Sequence, residues 1–255
     1  MITKKIMDLT YLKQQLDLAV YAAKEAGKML LKTENAEVKI NSSIDKDIKL
    51  EADVESEKLI VKILADGSPF NILSEESGLV KSDNADGYRW IVDPLDGSLN
   101  YSRDIDIYAV SIGLWKNDEP VLGVVYDFLH ERLYTGLVGD GAYLNGKKIN
   151  VSNVDNKKNS ILSTGFPVYS SFDQNNINTF VNNVQEYKKV RLFGSAAMSL
   201  IHVAKGSIEA YTESNIAVWD VAAGLAILVA AGGTFTAPEG KGPLYLNVFA
   251  SNGKI

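Results

Sequence analysis

The chain has 255 residues, 46% of them apolar, a formal charge of −6 and no cysteine. That is enough apolar material for one large domain or two packed halves, and the acidic balance disfavours wrapping a nucleic-acid polymer, which needs clustered Lys and Arg. Lack of cysteine excludes disulfides, thiolate nucleophiles and thiolate metal sites, as expected of a cytoplasmic protein, and without a run of about 18 uncharged apolar residues or an apolar N-terminal signal neither membrane insertion nor export is expected.

Over residues 9–31, Leu12, Leu16, Ala19, Ala23, Ala26 and Leu30 fall at helical spacing, which predicts an amphipathic packing helix. A polar loop at Asn41-Ser42-Ser43 leads to the alternating Asp47-Ile48-Lys49-Leu50, a strand pattern, and then to a helix ending near residue 64. Asp53 sits where strand gives way to helix. Phe70-Asn71-Ile72-Leu73-Ser74 reads as a short strand running into Glu75-Glu76, and from Gly78 a polar loop returns to Tyr88. Trp90-Ile91-Val92 is an apolar strand that stops abruptly in Asp93-Pro94-Leu95-Asp96-Gly97-Ser98. Pro94 fixes its own φ and biases the residues before it toward extended backbone, while Gly97 permits a conformation a side chain would block. Two carboxylates about 4 Å apart repel by roughly 4 kcal/mol at an effective dielectric of about 20, so their convergence here points to a bound hard cation, Mg²⁺ first.

Residues 107–115 and 120–126 are expected to be neighbouring strands, with 132–138 continuing the sheet. Residues 141–148 begin like a phosphate-binding loop, but Lys148 stands where Ser or Thr is required and no helix follows; Asn145-Gly146 reads instead as a hairpin turn. Beyond it the pattern predicts a strand at 161–163, helices around 180–187 and 195–205, a strand at 208–211, and a final helix at 219–231 stopped by Gly232-Gly233. A return strand is expected at 248–250. The last helix is apolar enough for a core and too short for a membrane anchor. His130 and His202 are too far apart in sequence to suggest a metal pair, and His202 is expected to pack on its helix. With no repeat or linker, the expected organisation is two α/β halves sharing an interface, 1–145 with most of the metal ligands and 146–255 with substrate contacts and Asp220.

Taken singly, each acid has a plain explanation. Asp53, Asp93, Asp96 and Ser98 would serve as turn or cap residues, Asp220 as a helix-start acid, and Glu75 and Glu213 as solvated acids. Their joint order carries more. The segments Asp47-Ile48-Lys49-Leu50-Glu51-Ala52-Asp53, Glu75-Glu76-Ser77, Asp93 through Tyr101, Gly194-Ser195-Ala196-Ala197 and Trp219-Asp220-Val221-Ala222-Ala223-Gly224 together resemble the inositol monophosphatase superfamily of Mg²⁺-dependent, lithium-sensitive phosphatases, over nearly the whole chain.

That resemblance implies a layered α/β fold of alternating helices and sheets, and two or three Mg²⁺ held by Glu75, Asp93, Asp96, Asp220 and the Leu95 carbonyl. It implies that Ser98 and Asp53 orient an attacking water and that the Gly97 and Ser98 amides bind phosphate. Gly194, Ser195, Ala196 and Glu213, with Asp220, would contact a polyol. A homodimer acting on a small phosphorylated substrate is implied, with inositol monophosphate or a similar polyol phosphate first. Other expectations kept open are 3′(2′),5′-bisphosphate nucleotidase, fructose-1,6-bisphosphatase, and a noncatalytic regulator that binds metal or phosphate. Lys39 is an uncertain match to the family's loop lysine and stands outside the expected site.

Overall fold

The computed structural model describes residues 8–33, 40–44, 47–80, 87–166 and 174–255. Helix α1 (Leu9–Thr33) is followed by a two-stranded ribbon of β1 (Ile40–Ile44) and β2 (Asp47–Leu50), then helix α2 (Glu51–Gly67). The expected loop at 41–43 is therefore a strand: β1 pairs antiparallel with β2, with Ile44 opposite Asp47. A backbone ladder needs no apolar side chains, so the Asn-Ser composition concealed it. Lys39 lies outside the described residues.

An eight-stranded sheet follows. It contains β3 (Asn71–Ser74), β4 (Gly78–Val80), β5 (Tyr88–Asp96), β6 (Ala109–Lys116), β7 (Glu119–Asp127), β8 (Arg132–Leu137), β9 (Gly141–Leu144) and β10 (Lys147–Ile149), in the order β10-β9-β8-β7-β6-β5-β3-β4. The short helix α3 (Ser98–Tyr101) opens directly from the end of β5. The hairpin at Asn145-Gly146 forms with positive φ at both residues, 46° and 77°, as a tight two-residue turn requires. Both of its strands belong to this sheet, so the expected join at 145–146 falls inside the sheet's last hairpin.

The remaining elements are β11 (Ile161–Thr164), α4 (Gln174–Glu186), β12 (Lys189–Arg191), α5 (Ala196–Ala204), β13 (Ala210–Ala217), α6 (Val218–Ala230), β14 (Thr234–Thr236) and β15 (Tyr245–Ser251). Their strands form a second sheet, ordered β12-β11-β13-β15-β14. The layers alternate: α1 and α2 cover one face of the first sheet, while α5 and α6 pack on its other face, between it and the second sheet.

Small residues set these layers close together. Helix α1 buries Ala19, Ala22, Ala23, Ala26 and Leu30 completely, and α6 lies so flush on the first sheet that a Cβ at Gly123 would overlap the Ala223 carbonyl. The Trp115 indole N–H donates to the Ala222 carbonyl at 3.0 Å, satisfying its one polar atom within that contact. Among the described residues no helix is long and apolar enough to cross a membrane; α6 is a core helix. His202 packs on α5 against the Phe193 ring, 5.0 Å between centroids, and burial, followed by Lys205 and Arg132, lowers its pKa to about 4.

Candidate active site

The site begins with a parallel strand pair. In the first sheet β3 and β5 run side by side with Ser74 opposite Val92, and the ladder continues as the Glu75 N–H donates to the Val92 carbonyl at 3.3 Å. Glu75 and Asp93 thus emerge next to each other at the same end of the sheet. Alternation sets their face: Leu73 and Ile91 belong to the core between the two sheets, so Glu75 and Asp93, two residues further on, are directed to the α5–α6 side.

Asp96 would face the other way in a regular strand, since positions three apart lie on opposite faces. Here β5 pairs with β6 through Asp93↔Ser111 and then Asp96↔Ala109, three steps against two. The extra residue is a β-bulge at Pro94-Leu95, and it turns Asp96 to the same face as Asp93. The bulge is held from beneath, where the Ser56 hydroxyl of α2 donates to the Pro94 carbonyl at 3.0 Å and the Leu95 N–H donates to Asp93 Oδ1 at 3.0 Å. Gly97 then adopts φ +86°, and a Cβ there would come within 2.8 Å of the Ile107 carbonyl oxygen, so this turn into Ser98 and α3 demands glycine.

Helices α5 and α6 bring the remaining groups. The N-terminus of α5 grips Asp96: the Ser195 hydroxyl and the Ala197 N–H, the latter at 3.0 Å, donate to Asp96 Oδ2, and the Ala196 N–H donates to Oδ1 at 3.3 Å. Ser195 also caps α5, accepting from the Met198 N–H at 3.1 Å. The hydroxyl and amide expected to meet a polyol are thus bonded to a carboxylate. Asn100 ties α3 to this segment, its Nδ2 donating to the carbonyls of Ile107 and Phe193 at 2.8 Å and of Gly194 at 3.4 Å. Asp220 stands in the first turn of α6. Asp53 is buried in the first turn of α2, one helical turn before Ser56 and so on the face that meets the bulge.

The acids act on one another. Burial, then Glu75, Asp96 and Asp220, raises the Asp93 pKa well above 3.8, and burial, then Glu75, Asp96 and Glu213, does the same at Asp220. Asp220 keeps some solvent contact, yet the protein around its carboxyl makes burial the leading cause. Asp96 rises to about 6 because its burial outweighs the hydrogen bonds from Ser195 and the α5 amides. Glu213 rises to about 7, chiefly through burial; its carboxylate accepts from the Tyr211 hydroxyl at 2.9 Å and packs over Gly165, where a Cβ would collide with it. Among the described residues no three His, Cys, Asp or Glu side chains converge closely enough to hold a metal ion. The Asp96 carboxylate is turned onto α5. An all-oxygen donor set whose members raise one another's pKa nevertheless fits a hard divalent cation.

Sequence reasoning passed over two features. One is Glu57, buried on α2 at helical spacing from Asp53 and Ile60; an acid on an otherwise inward-facing stripe was the available signal. The other is a cavity of about 280 Å³ beside Glu213, between the ends of β11 and β13 and helix α4, lined by Thr164, Phe166, Phe180, Asn183, Asn215 and Asn247 among others.

A family model described as the inositol monophosphatase family matches residues 12–253. A fructose-1,6-bisphosphatase/inositol-1-monophosphatase of Aquifex aeolicus is 37% identical, covering 88% of this chain and 86% of that protein. The Nus factor SuhB of Xylella fastidiosa is also 37% identical, covering 95% and 92%. The solved inositol monophosphatase from Anabaena superposes with a TM-score of 0.81 at 36% identity, over 96% of this chain and 92% of that one.

Proposed function

The chain belongs to the inositol monophosphatase family of phosphoric monoester hydrolases, and from that membership we propose that it hydrolyses the phosphomonoester of a small neutral polyol, inositol monophosphate or a close analogue. The observation that carries this reading is the direction of Glu75, Asp93 and Asp96 to one face at adjoining strand ends, electrostatically joined with Asp220. In the proposed roles Glu75, Asp93, Asp96, Asp220 and the Leu95 carbonyl hold two or three Mg²⁺. Bound there, the ions supply charge neutralisation at the phosphoryl group, a more acidic water and stabilisation of the departing alkoxide.

The chain's own groups do the rest. Ser98 and Asp53 orient the attacking water, and the Gly97 and Ser98 amides meet the phosphate. Ser195, Ala196 and Ala197 hold Asp96, and Gly194, Ser195 and Ala196 form the wall nearest the polyol. Glu213, with a pKa of about 7, meets hydroxyls as either acceptor or donor near neutral pH. Among the described residues, the cavity beside it is lined by hydroxyl, amide and phenyl groups and by no Lys or Arg. A second phosphate placed there would lose its hydration without gaining a countercharge. This favours a neutral substrate body over a bisphosphonucleoside or fructose 1,6-bisphosphate.

Phosphate release with Mg²⁺ from inositol 1-phosphate, fructose 1,6-bisphosphate and adenosine 3′,5′-bisphosphate tests the reading. The expected order of kcat/KM places inositol phosphate first, and a preference for either bisphosphate overturns it. Asn183→Lys places a cation in the cavity, and should raise the ratio for fructose 1,6-bisphosphate over inositol phosphate by roughly tenfold, ~1.4 kcal/mol. The alternative of a noncatalytic regulator requires no phosphate release from any of the three. Li⁺ inhibition and a homodimer belong to the same proposal. Exposed Leu99 and Leu192 lie on segments tied together through Asn100 and offer apolar surface for a second copy; sedimentation measures the dimer.

A further inference from the structure

We propose that Glu57 is a positioning residue that presents Glu75 for ion binding, an inference that rests on the metal-site reading above. Glu57 is 2% exposed on the inner face of α2, and its carboxylate is spent on the turn that carries Glu75. Oε2 accepts from the Ser74 hydroxyl, from the Glu76 N–H at 2.8 Å and from the Ser77 N–H at 3.3 Å, while Oε1 accepts from the Ser77 hydroxyl.

These four bonds bracket Glu75, one before it and three after. The Glu75 N–H is itself bonded to the Val92 carbonyl, so the turn is held at Glu75 and on both sides of it. Alternation supplies the direction. Ser74 turns toward α2 and Glu57, and Glu75 toward the opposite face, beside Asp93. Glu57 therefore grips the turn from the helix side while Glu75 is delivered to the other.

Helix α2 performs this task at two points. The Ser56 hydroxyl holds the Pro94 carbonyl of the bulge that orients Asp96, and the adjacent Glu57 holds the turn of Glu75. One rigid helix face thereby sets the spacing between two proposed ligand segments. A carboxylate suits the position because it accepts on all sides and donates nowhere, matching two hydroxyls and two amides that all donate. Supporting hydrogen bonds of this kind are typically worth about 10–100-fold in metal affinity.

The test measures Mn²⁺ binding by electron paramagnetic resonance in the full-length protein without substrate, alongside the Mg²⁺ concentration for half-maximal phosphate release. Glu57→Ala is expected to weaken Mn²⁺ binding at least tenfold and to raise the Mg²⁺ requirement in parallel, with a larger effect on that requirement than on kcat at saturating Mg²⁺. Glu57→Gln keeps the shape and half the acceptors while removing the same charge, and is expected to stay within about threefold of wild type. Wild-type Mn²⁺ affinity in Glu57→Ala overturns the proposal. So does equal loss in the Gln and Ala variants, because that marks a charge effect. Should Glu57→Ala fail to fold, the Ser74→Ala/Ser77→Ala double variant removes two of the four bonds, and its unchanged Mn²⁺ affinity is equally fatal. Glu75→Gln separates the two readings: if it keeps full Mn²⁺ affinity, the metal-site assignment falls.

Discussion

Asp93 is a buried carboxylate that feels the charges of Glu75, Asp96 and Asp220, and its conflict is with folding as much as with catalysis. Burial and the neighbouring acids raise its pKa well above 3.8, so the ion-free fold carries a charge it would rather neutralise. Asp93→Asn is expected to cost about 10³-fold in kcat for phosphate release, while the melting temperature of the EDTA-treated protein rises. The same logic sets a pH dependence. For Asp96 at about 6 and Glu213 at about 7, the folded pKa lies above the unfolded one. Their stabilising contribution is therefore complete below the unfolded pKa and lost as pH rises through the folded values. Calorimetry in EDTA should show stability falling between about pH 5 and about pH 8, and saturating Mg²⁺ should flatten that slope by favouring the charged forms.

At the scale of elements, the site is an assembly of ends. Strands β3 and β5 stop there, and α2, α3, α5 and α6 start there; at α5 the first amides and the positive end of the dipole meet the Asp96 carboxylate. Ser195 shows the coupling most directly, capping α5 while its hydroxyl donates to Asp96. Ser195→Ala should lower stability by about 1 kcal/mol through the lost cap. It should also leave Asp96 with one donor fewer, raising its pKa further and increasing the Mg²⁺ needed at pH 6 more than at pH 8, as a titration of activity against Mg²⁺ at both values would show.

Across the molecule, α6 joins the two sheets. It packs on β5, β6, β7 and β8 of the first sheet and contacts β13, β14 and β15 of the second, and its first turn carries Asp220. Its seat depends on glycines in the sheet: a Cβ at Gly113 or Gly136, like one at Gly123, would press into α6. Gly123→Ala is expected to destabilise the protein by about 1–3 kcal/mol through overpacking. Because Asp220 rides on the displaced helix, Mn²⁺ affinity should fall with it. A thermal melt and a binding titration on the same preparation check both effects.

Strongly periodic or sharply punctuated segments were legible from the amino-acid order alone. Helix α1 begins at Leu9 as its spacing predicts, Asn145-Gly146 makes its hairpin, and the apolar run into Asp93 is a strand, but it does not stop there: it continues, bulged, through Asp96 and turns only at Gly97. The short strands β4, β12 and β14 were not legible, because pairing at such places depends on the neighbouring strand more than on the segment's own side chains. The joint order of the acids, read with the family resemblance, named the candidate site. Which face each acid takes was decided only in three dimensions. A one-residue bulge turned Asp96 to the side of Asp93, the α5 N-terminus captured it, and Glu57 acquired its grip on the Glu75 turn. Local chemistry is written in consecutive residues, whereas facing is set by register between segments far apart in the chain, and a single inserted residue reverses it.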